Sequence, residues 1–257
     1  MARIFITGSA DGLGKLAALT LIKQGHQVVL HARNEKRAQD ALATVSGAEG
    51  ILVADLSSLA ETKKLAADVN AMGSFDAIIH NAGVYQVSDL ELSIDGLPLI
   101  LAVKTIAPYI LTSLIHKPKR LVYLSSGLHL QGDPRLSGLQ SNKPRVTYAD
   151  SKLHVVILSN AVARKWPGIL SNSVDPGWVP TKMGGKDAPG NLERGVETQV
   201  CLVTSNDEKA IVSGRYFHHQ HQVNYLSAAD DPNVQDRFLA LCEQISGISF
   251  PEGGVLS

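Results

Sequence analysis

The sequence predicts an α/β fold: a doubly wound, seven-stranded, mostly parallel sheet with helices on both faces. Three observations carry this expectation. Apolar runs of four to six residues recur along the chain. Longer stretches with helical periodicity separate them. A glycine-rich turn directly follows the first run. Strands covered on both faces read as near-continuous apolar segments, and right-handed crossovers between them wind helices onto both sides.

The strands are expected at RIFIT (3–7), QVVLHA (27–32), GILVA (50–54), FDAIIH (75–80), RLVYLS (120–125), ILSNSV (169–174) and SGRYFH (213–218). After the first, LGKLAALTLIKQG reads as a helix with Leu13, Leu16, Ala17 and Leu21 on one face. Ser58 and Glu61 fit a capping box that opens another helix, with Ala66, Val69 and Met72 beyond. Helical patterns also cover 96–116, 148–165 and 193–205. No linker and no internal repeat interrupts the alternation, so residues 1–257 read as one domain. The Gly/Pro-rich stretches 127–146 and 176–191 each follow a strand. They therefore belong at the carboxyl edge of the sheet, where open α/β folds bind ligands. Substrate loops are expected at 127–147 and 178–192. The final ISFPEGGVLS reads either as an extension of the last strand or as a cover for a neighbour.

A chain of 257 residues is at the upper end of what one core serves. Its 44% hydrophobic and 19% charged residues are those of a globular protein. A formal net charge of zero supplies no basic field for nucleic acid or an anionic membrane. Near-zero net charge also favours self-association. Cys201 and Cys242 lie in apolar or amphipathic runs, without a C-x-x-C pair, and read as buried free thiols. No signal peptide or membrane-length apolar run is evident, so a cytoplasmic setting is expected. His218, His219 and His221 in YFHHQHQ lack a nearby carboxylate or cysteine. They read as a substrate-facing wall or plain surface, and no metal site is expected.

Residues 7–14, TGSADGLG, join the first strand to the first helix. Gly8, Gly12 and Gly14 permit a tight turn and close approach of a phosphate, and the helix N-terminus offers unpaired N–H groups. The candidate contacts are Gly8, Ser9, Asp11, Gly12, Leu13 and Gly14. The spacing, G-x-x-x-G-x-G, differs from the common dinucleotide fingerprint. Arg33 ends the second strand, where a carboxylate would select NAD; a guanidinium suits the 2′-phosphate of NADP. Asp55-Leu56 and Asn81-Ala82-Gly83 end the third and fourth strands, with small and polar groups suited to an adenosine and its riboses. Asp55 equally fits a helix cap.

Tyr148-Ala149-Asp150-Ser151-Lys152 places a phenol and an ammonium one helical turn apart. Alone, the pair is as well explained by a surface contact. A serine pair at the end of the fifth strand and the glycine turn give it chemistry. Free tyrosine has a pKa of about 10, and a nearby cation favours the phenolate. Tyr148 is then the acid/base, and Ser126 a donor to a substrate oxygen.

With those residues in order, the chain resembles the short-chain dehydrogenase/reductase family. TGSADGLG, Asp55-Leu56, Asn81-Ala82-Gly83, Ser125-Ser126, Tyr148-x-x-x-Lys152 and Pro176-Gly177 carry the resemblance, over residues 3 to about 217. Arg33 and the long segment between serines and tyrosine look most like retinol-dehydrogenase-like and WW-domain-oxidoreductase-like members. The resemblance implies a Rossmann-like fold and an NADP-dependent enzyme interconverting a carbonyl and an alcohol, with Ser126, Tyr148 and Lys152 catalytic. It also implies that Lys152 holds the nicotinamide ribose, that Pro176, Gly177, Val179 and Thr181 complete the cofactor set, and that homodimers or homotetramers pack through 96–116 and 148–165. The family's usual asparagine in a V-N-T-x-A-P-Y stretch is Lys104 here. In the family that position's carbonyl holds a water relaying protons to the lysine. A second lysine near Lys152 either lowers the pKa of one or both or turns into solvent. His129, Trp178 and Met183 are candidate contacts to a moderately apolar substrate, and the 178–192 loop a candidate lid. The alternative is a weakly active or inactive NADP(H)-binding sensor or scaffold of the same fold.

Overall fold

The computed structural model describes residues 1–84, 91–141 and 143–253. Its strands are β1 (Arg3–Ile6), β2 (Gln27–Ala32), β3 (Gly50–Val53), β4 (Ala77–His80), β5 (Arg120–Leu124), β6 (Leu170–Asp175), β7 (Arg215–His218) and β8 (His221–Gln222). They form one sheet in the order β3-β2-β1-β4-β5-β6-β7-β8. The first seven are parallel, in the expected places; the eighth is a two-residue antiparallel return from β7. The sheet thus has one strand more than expected. Gln222 is too short a signal to read as a strand, and positive φ at His219 and Gln220 makes the turn.

The helices are α1 (Gly12–Lys23), α2 (Glu35–Leu42), α3 (Leu59–Ala71), α4 (Leu99–Leu101), α5 (Ala107–Leu114), α6 (Ser137–Gln140), α7 (Tyr148–Lys165), α8 (Leu192–Thr204) and α9 (Pro232–Ser246). A π-helical turn, Ala102–Ile106, joins α4 to α5. Pro108 explains the change of pitch: it has no N–H to return to the carbonyl of Lys104, so the α ladder breaks there. The expected capping box at Ser58 forms by half. Ser58 Oγ accepts from Glu61 N, but the Glu61 carboxylate accepts from Asp55 N instead of Ser58 N.

Alternation along the strands sends Ile4 and Ile6 to one face and Phe5 to the other, where separate clusters form. One packs beneath α1 and α8, the other beneath α3, α5, α7 and α9. Residues 151–162 of α7 are all buried within the single chain. Helix α9 covers them: Phe238 sits 5.4 Å from the His154 ring, and Arg164 Nε donates to Gln235 Oε1 at 2.6 Å. The tail then stacks Phe250 on Trp166 and gives its Ile248 carbonyl to Tyr109 Oη at 2.7 Å. ISFPEG, residues 248–253, therefore covers its own chain; residues 254–257 lie outside the described ones. This C-terminal segment packs on α7, on the π turn and on Tyr109 of α5, within the two helical stretches that the resemblance assigns to subunit packing. Cys242 is buried as expected, whereas Cys201 is only partly so.

Candidate active site

The β1–β4 switch point and the loops after β1 to β7 enclose a cavity of about 1090 Å³ at the carboxyl edge of the sheet. Its nucleotide-side wall starts at the glycine turn. Gly8 has φ +63°, and a Cβ there would come within 2.8 Å of Ala82 Cα. A Cβ at Gly14 would meet Asn81 Nδ2 at 2.4 Å and the Gly8 carbonyl at 2.6 Å. Asn81 uses its amide to bind the carbonyls of Thr7 and Gly8, at 2.9 and 3.0 Å. Its side chain braces the turn, while Gly8, Gly12, Leu13, Asn81, Ala82 and Gly83 line the cavity. Ser9 and Gly14 do not reach that wall. Ser9 is fully buried, donating to the Ile6 carbonyl and accepting from His31 N.

His31 is a brace that sequence reasoning missed. Its Nδ1 accepts from Gly8 N at 2.9 Å and its Nε2–H donates to the Ala54 carbonyl at 3.0 Å. Both ring nitrogens are used by a neutral imidazole, and burial lowers its pKa to about 4. The visible signal was a polar residue inside an otherwise apolar central strand.

Asp11 caps α1 through Gly12 N and binds Lys182 Nζ at 2.5 Å and Arg37 Nη2 at 3.3 Å. The Lys182 contact, first of these, holds its carboxyl below the usual range. It ties the 178–192 loop to the glycine turn. Arg33 and Arg37 stand together on the wall beyond β2, and Arg37 was not among the expected residues. Asp55 and Leu56 also line the cavity; Asp55 Oδ1 accepts from both Ser57 N and Ser57 Oγ in a turn before the helix, whose cap is Ser58 and not Asp55.

The opposite wall holds Ser126, Tyr148 and Lys152. Ser126 starts a 3₁₀ turn, Gly127–Gln131, its hydroxyl accepting from Leu128 N. His129 does not enter the cavity as expected. It is buried against Tyr216, donates from Nδ1 to the Ser126 carbonyl and accepts from Leu226 N at Nε2. It fixes the serine's backbone instead of meeting a substrate. Tyr148 is the first residue of α7, behind a complete capping box of Thr147 and Asp150. Asp150 also accepts from Asp133 N at 2.8 Å, anchoring the 127–147 loop to the helix. That loop contains α6 and the 3₁₀ turn, more regular structure than expected; residue 142 lies outside the described residues.

Lys152 is buried and donates to the Leu124 carbonyl at 2.8 Å. Burial lowers its pKa to about 8, against upward pulls from Lys104 and the Asp175 carboxylate. Lys104 does not turn into solvent. The π turn brings it inward, 3% exposed, with Nζ 4.7 Å from the Tyr148 ring centre; Lys152 Nζ is 5.4 Å from the same point. Gly83 makes the room: a Cβ there would be 2.6 Å from Lys104 Nζ.

Pro176, Gly177, Val179 and Thr181 line the cavity beside Trp178 and Met183. Trp178 is 62% exposed, its indole N–H bonded to the Gly184 carbonyl at 2.7 Å. Asp175, also unforeseen, accepts from Gly127 N and Gly177 N, both at 2.9 Å, and so joins the serine loop to the loop after β6. His218 lies on the wall as expected, 3.5 Å from Asp175.

With this geometry in place, known proteins supply the classification. A family model described as enoyl-(acyl carrier protein) reductase matches residues 8–209. A short-chain dehydrogenase of Gibberella zeae is 42% identical, covering 98% of this chain and 99% of its own. The chain belongs to the short-chain dehydrogenase/reductase family. As a member of that family it is an oxidoreductase by class. An uncharacterized oxidoreductase of Emericella nidulans is 44% identical over 98% of this chain and all of its own. Retinol dehydrogenase 14 of Mus musculus is 27% identical over 95% and 86%, a distant relation that fixes no sub-branch. Among solved structures, an uncharacterized protein from Mycobacterium paratuberculosis has a TM-score of 0.81 at 21% identity, over 98% and 95% of the chains. A short-chain dehydrogenase from Burkholderia cenocepacia, solved with NADP, has a TM-score of 0.67 at 21% identity, over 84% and 95%.

Proposed function

We propose that this short-chain dehydrogenase/reductase interconverts a carbonyl and an alcohol on a small, moderately apolar substrate, using NADP(H). The observation that carries the reading is the arrival of Ser126, Tyr148 and Lys152 on one cavity wall, opposite the glycine turn and Arg33. The residues fit a dinucleotide. Gly8 and Gly14 leave no space for a side chain at the turn, and Arg33 and Arg37 offer cations where a 2′-phosphate belongs. When bound, NADPH supplies the hydride. Every other task falls to the chain. Gly8, Gly12, Leu13 and Thr181 would hold the pyrophosphate and nicotinamide ends, and Asp55, Leu56, Asn81, Ala82 and Gly83 the adenosine and riboses. Ser126 orients the carbonyl oxygen, and Tyr148 gives it a proton in reduction or takes one in oxidation. Lys152 keeps positive charge beside the phenol. Leu128, Trp178 and Met183 supply the apolar surface that meets the substrate.

Among the described residues no helix is long and apolar enough to cross a membrane. Because α9 covers α7, we propose that the chain works without the helix-to-helix dimer expected from the resemblance. The functional test is oxidation of NADPH, with NADH in parallel, against aldehydes, ketones and quinones. Turnover with NADPH on at least one carbonyl class supports the proposal. Binding of NADPH without turnover on any of them supports the sensor or scaffold reading instead.

A further inference from the structure

The two lysines of the site cannot both be ammonium ions at ease. Lys104 and Lys152 are 3% and 7% exposed and share the Tyr148 ring, their Nζ atoms 4.7 and 5.4 Å from its centre. Their surroundings are unequal. Lys152 has the Leu124 carbonyl at 2.8 Å and faces the Asp175 carboxylate. Among the described residues, Lys104 Nζ has no carbonyl or carboxylate; it meets Lys152, the Tyr148 ring and the bare Cα of Gly83. A buried amine without an acceptor, beside a cation that has a carbonyl and the field of a carboxylate, is the one that gives up its proton. We propose that Lys104 is a positioning residue for the proton-transfer step, an uncharged amine that accepts a hydrogen bond from the Lys152 ammonium so that the pair carries one proton beneath Tyr148. This rests on the catalytic reading of Tyr148 given above.

The direction of titration agrees. Burial, then the Lys152 charge, push Lys104 well below the ordinary lysine value, while the Lys104 contact pulls Lys152 upward. Among the described residues, the other titratable groups around the pair are few, and Glu91 lines the same cavity. Asp175 and, on its outer side, His218 come from the ends of β6 and β7. Tyr216 is held neutral by burial, and His154, bonded to Thr105 on the same π turn, is lowered to about 4. Among the described residues none of these sets a charge against Lys104. The charge count then balances: when Tyr148 gives its proton to the substrate oxygen, one phenolate stands beside a lysine pair with one positive charge. The pair takes no second proton, so the phenolate faces a constant field until solvent restores the phenol.

The test combines protonation state with substitution. Lysine side chains labelled at Cε and Nζ are followed by NMR from pH 6 to 10 in the protein without cofactor and with NADPH, with Lys104→Met assigning the signal. The expected result is one neutral lysine at pH 7, absent from Lys104→Met, in which the Lys152 titration moves to lower pH. In kinetics, Lys104→Met lowers kcat about tenfold and shifts its alkaline limb down by about one pH unit, because Lys152 loses its acceptor. Lys104→Arg forces a permanent second cation into the site and loses more activity than Lys104→Met, at unfolding temperatures that show both variants folded. A Lys104 signal that stays ammonium up to pH 9, or Lys104→Arg more active than Lys104→Met, overturns the proposal. The NMR arm needs no turnover, so it decides even if no carbonyl substrate is reduced.

Discussion

Gly14→Ala sets helix propensity against packing. Gly14 is in the first turn of α1, where alanine is better than glycine by at most about 1 kcal/mol. On that ground alone the variant is stabilised. The added methyl, however, meets Asn81 Nδ2 at 2.4 Å, the Gly8 carbonyl at 2.6 Å and Ser9 Cα at 3.0 Å. Two of these are backbone atoms of the glycine turn and cannot step aside without moving β1. Overpacking of this kind costs about 1–3 kcal/mol. Displacing Asn81 also loses its bonds to Thr7 and Gly8, about 1 kcal/mol net for each. The balance is a loss of about 2–4 kcal/mol, or about 4–16 °C in Tm for a domain of this size. Urea and thermal unfolding read it directly. In an Asn81→Ala background the cost falls by about 2 kcal/mol, because one clashing atom and two bonds are already gone. A Gly14→Ala protein as stable as the parent would refute the close-packed turn.

Three further outcomes follow from the same structure. Arg33→Ala weakens NADPH binding about 10–100-fold, the worth of a charge-assisted bond, and leaves NADH nearly unchanged; equal losses for both cofactors contradict the 2′-phosphate role. Burial lowers His31 and His154 from 6.5 to about 4, so below pH 6.5 the unfolded chain takes protons that the folded one refuses. Stability is full above pH 6.5 and falls by about 2 kcal/mol per buried histidine by pH 5, and urea unfolding at pH 7 and 5 measures the drop. In light scattering the chain has the mass of one 27.4 kDa unit, and truncation before residue 231 makes it associate through the exposed α7 face.

Most of the architecture was legible because its signals are local. Seven parallel strands appear where short apolar runs predicted them, and the glycine turn, strand-end residues and Tyr148-x-x-x-Lys152 converge on one cavity. What escaped the sequence is of another kind. Helix α9 was readable in principle: Asp231-Pro232 and Gly247 are start and stop signals around an amphipathic run. Its effect was not readable, because covering α7 is a tertiary choice between the chain's own tail and a second copy. His129 and Asp175 were misread or missed because their hydrogen bonds join loops far apart in sequence. Ser9 and Asn81 sit at expected positions, but their side chains serve the turn itself. Lys104 was visible as a departure, and only the π turn Ala102–Ile106 shows it directed inward.

The central claim is that Tyr148 moves the proton. Steady-state kinetics of Tyr148→Phe, beside a fluorescence titration of NADPH, tests it most directly. The account predicts loss of carbonyl reduction by at least about 10²-fold, with NADPH affinity nearly intact. Full activity in Tyr148→Phe would contradict it.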